Sequence, residues 1–111
     1  MKTISKMDSN TFIKHVKSIS EQILPEGAVL WLFGSRARGD NRDDSDWDIL
    51  VLLDRQGKAT GKDYDEIGYP LNELFWQHGQ DVNTIIQTRD EWQQKSFTPF
   101  YKNVMQDAIA L

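Results

Sequence analysis

Apolar residues recur along this chain in two rhythms, one of period near 3.6 and one suited to strands, and the alternation between them lays out the elements. Phe12, Val16, Ile19 and Ile23 recur at helical spacing behind a polar Asp8-Ser9-Asn10 that suits an N-cap, and Pro25-Glu26-Gly27 breaks the pattern. An amphipathic helix lying on a sheet is predicted, with His15 on its surface. Residues 28–33, Ala-Val-Leu-Trp-Leu-Phe, show no alternation and predict a strand buried on both faces, Trp31 included. A second strand, from about Ser45 to Leu53, places Asp46, Asp48 and Leu50 on one face and Trp47, Ile49 and Val51 on the other.

The second half repeats the alternation of helix and strand. Between Lys62 and His78, the residues Tyr64, Ile67, Leu71, Leu74 and Phe75 mark a helical face, with a break expected near Gly68-Tyr69-Pro70 because proline removes a hydrogen bond. His78 before Gly79 fits a helix C-terminus. Residues 81–87 predict a third strand with Asp81, Asn83 and Ile85 on one side. Thr88-x-x-Glu91 is a capping box opening a helix that contains Trp92. Thr98-Pro99 starts a last helix, whose stripe is Phe100, Tyr101, Val104, Met105, Ala108 and Ile109. Most of that stripe is expected in the core, with Phe97, Phe100 and Tyr101 as candidates for a partner surface. The expected fold class is α/β, a small mixed β-sheet of three or more strands with helices packed mainly on one side, in a single domain spanning residues 1–111.

Composition narrows the function. Thirteen basic against 17 acidic residues leave a net charge of −4, which offers no diffuse basic face for duplex DNA or RNA and disfavours a nucleic-acid polymerase. The chain has no cysteine, so disulfides and thiolate metal sites are excluded. No apolar run approaches the roughly 20 residues of a membrane helix, and the N-terminus lacks the apolar centre of a signal peptide. A soluble, cytoplasmic protein is expected.

The candidate chemistry lies in one stretch. The apolar run ending at Phe33 stops at Gly34-Ser35, where glycine lets backbone approach a ligand and the following amides can face a phosphate. Asp46 and Asp48, two apart on a strand, project their carboxylates from one face. Two adjacent carboxylates repel unless a cation lies between them, and such hard oxygen ligands suit Mg²⁺. Arg36 and Arg38 are candidates for phosphate contact or for solvent. Asp40, Asp43 and Asp44 read as loop acids.

The pair Gly34-Ser35-Arg36-Ala37-Arg38-Gly39 and Ser45-Asp46-Trp47-Asp48-Ile49 resembles the motifs of the DNA polymerase beta-like nucleotidyltransferase superfamily, in its minimal nucleotidyltransferase (MNT) branch. That resemblance implies the nucleotidyltransferase fold, with ATP as substrate, its phosphates at Gly34 and Ser35, and Mg²⁺ held by Asp46 and Asp48. It also implies a third acid on the third strand. Matching the acid selects Asp81, taken as the catalytic and metal-binding residue, whereas counting back from Thr88 selects Asn83. Minimal members commonly act as antitoxins beside a HEPN-domain toxin, transferring AMP to a tyrosine of that toxin. The resemblance therefore implies a protein adenylyltransferase with a HEPN partner. The alternatives are a catalytically silent module that neutralises a toxin by binding it, and an orphan subunit of a small-molecule nucleotidyltransferase. Assembly into an oligomer is compatible with the sequence.

Overall fold

The computed structural model describes residues 9–111. Helix α1 (Ser9–Ile23) leads into strand β1 (Val29–Phe33), the short helix α2 (Ser35–Arg38) and strand β2 (Trp47–Leu53). A helical stretch follows as α3 (Gly61–Asp63), a π-helical turn (Tyr64–Gly68) and α4 (Tyr69–Gln77). Strand β3 (Val82–Thr88), helices α5 (Arg89–Gln94) and α6 (Pro99–Asp107) and strand β4 (Ile109–Ala110) complete the chain. The expected cap residue Asp8 lies outside the described residues, and Ser9 and Asn10 are already helical.

The sheet runs in the order β3-β2-β1-β4 and is mixed: β1 pairs antiparallel with β2 and β4, while β2 pairs parallel with β3. The parallel pair needs a crossover, and the long helical stretch between the two strands supplies it. Helices α1 and α4 cover one face, where Phe12 and Val16 meet Ile49, Val51 and Phe75 in the larger core cluster. Each such apolar side chain contributes roughly 1.5–3 kcal/mol on burial. The smaller cluster on the other face joins Leu50 and Leu52 to Trp92 and Val104 under α5 and α6. Strand β2 is thus covered on both faces, whereas β1 alternates: Leu30 and Leu32 are buried, and Val29, Trp31 and Phe33 are half-buried beneath the shorter helices.

Three expectations are corrected. The helix does not break at Gly68–Pro70: Tyr69 donates to the carbonyl of Tyr64, and the wider π turn accommodates Pro70 near the start of α4. The last helix stops at Asp107 rather than running through Ile109, because Ile109 and Ala110 pair with Leu32 and Trp31 on the otherwise open edge of β1. His15 is half-buried rather than superficial, its ring 5.3 Å from that of His78. His78 itself closes α4, its Nδ1 3.0 Å from the Leu74 carbonyl.

Candidate active site

The site begins where β1 ends. Gly34 has φ of 76°, a region that costs a side chain strain, and a Cβ there would run into the Asp48 carboxylate. Glycine is therefore required twice over, by backbone conformation and by the neighbouring strand. Its carbonyl accepts from the N–H groups of Ala37 and Arg38, both at 3.0 Å, which closes α2 behind it. Ser35 is the first residue of α2. Its hydroxyl has no hydrogen-bond partner among the described residues, so it is not spent as a cap.

The two arginines of α2 are committed to structure. Arg36 donates from Nη2 to the carbonyls of Asp43 (3.0 Å) and Ser45 (2.9 Å), and its guanidinium lies 4.4 Å from the centre of the Trp47 ring. It clamps the polar loop that carries Asp46 into β2. Arg38 pairs with Asp40 at 3.1 Å and with Asp107 at 2.8 Å, tying α2 to the end of α6. The guanidinium pKa is raised, chiefly by the hydrogen bond to Asp107 and then by that to Asp40.

Strand register assembles the acidic centre. Phe33 stands opposite Asp48 across the antiparallel pair, and Asn83 stands opposite Asp48 across the parallel pair. These three residues form one row across three strands, on the face of the smaller cluster. Asn83 Nδ2 donates to Asp48 Oδ1 at 3.0 Å and to Asp46 Oδ2 at 3.3 Å. One amide nitrogen thus bridges both carboxylates. Asp46 is exposed and Asp48 half-buried.

Asp81 lies just ahead of β3, exposed, and its carbonyl accepts the Trp47 N–H at 2.9 Å. Its backbone therefore runs beside Asp46. Among the described residues, no three His, Cys, Asp or Glu side chains gather as a metal-binding group, so Asp46, Asp48 and Asp81 do not form a three-acid cluster. Sequence reasoning missed the aromatic wall beside the row: Phe33 packs edge-on against Phe100 at 5.8 Å, and Phe100 against Trp92 at 5.9 Å. The sign available for it was the place of Phe33 immediately before the Gly34 turn.

A strand ending in a glycine-serine turn, with two carboxylates at the start of the neighbouring strand beside that turn, makes up the candidate site. The chain belongs to the nucleotidyltransferase family: the model of the nucleotidyltransferase domain matches residues 11–111. Over 80 residues it is 31% identical to "Putative protein adenylyltransferase MJ0604" of Methanocaldococcus jannaschii, covering 72% of this chain and 73% of that protein.

Solved structures share the fold. A toxin-antitoxin complex with AMP-PNP superposes with a TM-score of 0.57 at 20% identity, covering 94% of this chain and 72% of that one. A nucleotidyltransferase-like protein from Sulfolobus solfataricus gives 0.55 at 22% identity, covering 90% and 76%. A mutant of the MntA-HpeT toxin-antitoxin complex gives 0.52 at 20% identity, covering 96% and 72%. Among the described residues, no helix is long and apolar enough to cross a membrane.

Proposed function

We propose that the chain is a Mg²⁺-dependent protein adenylyltransferase that moves AMP from ATP to a tyrosine hydroxyl of a HEPN-type toxin, acting as its antitoxin. The observation that carries this is the convergence of Asp46 and Asp48 on one donor nitrogen beside the Gly34-Ser35 turn. Two carboxylate oxygens within hydrogen-bond reach of the same atom fit a hard divalent ion, whose remaining positions nucleotide phosphate and water would fill. When bound there, Mg²⁺ supplies charge neutralisation at the phosphate oxygens and alignment of the α-phosphorus. The adenylyltransferase name of the archaeal relative and the toxin-antitoxin character of two structural neighbours support the assignment.

The chain's own residues have separable tasks. The backbone at Gly34 admits phosphate close to Asp48, and the free Ser35 hydroxyl donates to a terminal phosphate oxygen. The acceptor oxygen attacks the α-phosphorus, the bond to the β-phosphate bridging oxygen breaks, and pyrophosphate leaves. Asp81, beside Asp46, is the carboxylate we assign to receive the acceptor proton, since the amide of Asn83 takes up none near neutral pH. A phenol, with an ordinary pKa of about 10, releases that proton more readily than an aliphatic hydroxyl. Phe100, 38% exposed and packed against Phe33, gives the acceptor protein an aromatic contact next to the row.

A second reading, neutralisation by binding alone, draws on Asn83 standing where an acid is expected. Following label separates the two. With ATP labelled at the α-phosphate the toxin should become labelled, and with ATP labelled at the γ-phosphate it should not. Asp46→Asn with Asp48→Asn should lower transfer by at least about a hundredfold. Neutralisation without label, unchanged in the double variant, would favour the binding module.

A further inference from the structure

Resting on that assignment, we propose that Asn83, standing where a three-acid centre carries its third carboxylate, makes this a one-metal site. The register leaves no other side chain of β3 opposite Asp48. Asp48 is held from two sides: its Oδ2 lies against Gly34 and its Oδ1 accepts from Asn83 Nδ2 at 3.0 Å. The same Nδ2 also donates to Asp46 Oδ2 at 3.3 Å. An NH₂ group has two hydrogens and no basic lone pair, so this bridge satisfies both and relieves the repulsion between the carboxylates. The bridge thus ties both carboxylates to one side chain.

Loading the site changes what Asn83 must present. Its NH₂ hydrogens would repel a cation held by Asp46 and Asp48, and the one ligand atom that Asn83 could offer such an ion is Oδ1, which is neutral. Two carboxylates balance one divalent ion. A second ion at the same face would find one neutral oxygen where a three-acid site offers a charged one, and affinity for hard cations follows the charge of the ligand set. Any second divalent charge at this centre therefore comes without an anchoring carboxylate from β3.

The test counts metal rather than turnover. The full-length chain is titrated with Mn²⁺ in the presence of a non-hydrolysable ATP analogue, and bound ion is followed by electron paramagnetic resonance. The expected result is one Mn²⁺ per chain with an uncoupled spectrum. Asn83→Asp should bind two, with a coupled spectrum and affinity raised on the order of tenfold. Asn83→Ala, which keeps both carboxylates and adds no charge, should still bind one. Two coupled ions in the unmodified chain, or a single ion in Asn83→Asp, would overturn the inference while leaving nucleotidyl transfer standing. Binding of neither analogue nor Mn²⁺ to the unmodified chain would overturn both.

Discussion

At the scale of single residues, Gly34 and Arg36 decide whether the acidic centre can exist. Gly34→Ala combines a strained φ with a methyl group set into the Asp48 carboxylate. A loss of about 1–3 kcal/mol in urea unfolding is expected, together with loss of nucleotide binding, because Asp48 must move. Arg36→Ala removes three charge-assisted bonds to two loop carbonyls and the stacking on Trp47. It should cost about 1–3 kcal/mol in the same assay. The tight turn at Gly34 and the shared face of Asp46 and Asp48 were legible in the sequence because each motif is local. The commitment of Arg36 was not, since its partners are carbonyls of residues 43 and 45, which carry no side-chain sign of it. The occupant of the third position depends on pairing between β2 and β3. Spacing within β3 offered Asp81 and Asn83 alike, and only the register sets Asn83 opposite Asp48.

At the scale of elements, the capping box at the end of β3 shows how a short motif can hold distant chain. Thr88 Oγ1 accepts from the Glu91 N–H at 3.1 Å and donates to the Gly57 carbonyl at 2.6 Å, while Glu91 Oε1 accepts from the Ala59 N–H at 2.9 Å. Helix α5 and the loop after β2 are therefore fastened together. Thr88→Val should cost about 1–2 kcal/mol in chemical unfolding and loosen that loop, seen as faster amide exchange at Gly57 and Ala59. The box itself was plain from Thr88-x-x-Glu91, as was the buried stripe of α4. Two features were not. The π turn before Pro70 exists because a wider turn accommodates a proline that an ideal helix would reject, and hydrophobic spacing does not register that difference. Strand β4 forms because β1 has an open edge, a fact about neighbours rather than about Ile109 and Ala110.

At the scale of the whole molecule, one ion pair lends the fold an acid-sensitive term far from the acidic centre. The hydrogen bond from Arg55 holds the buried Asp63 carboxyl at about 2, below its ordinary 3.8, with Thr60 adding to the effect. A depressed folded-state pKa means that the stabilisation is complete above the unfolded value and fades as pH falls from about 4 towards 2. With the Arg55 head partly exposed, the contribution is of order 1 kcal/mol. Urea midpoints of the parent and Asp63→Asn should therefore differ near neutral pH and converge across that acidic window.

The central claim concerns transfer, and the intact mass of the partner tests it most directly. On the proposed function, a HEPN-type toxin incubated with this chain, ATP and Mg²⁺ should gain one or more AMP units, carried on tyrosine, and should gain none with the chain in which Asp46 and Asp48 are both asparagine. A toxin that forms a stable complex yet keeps its original mass would contradict the account.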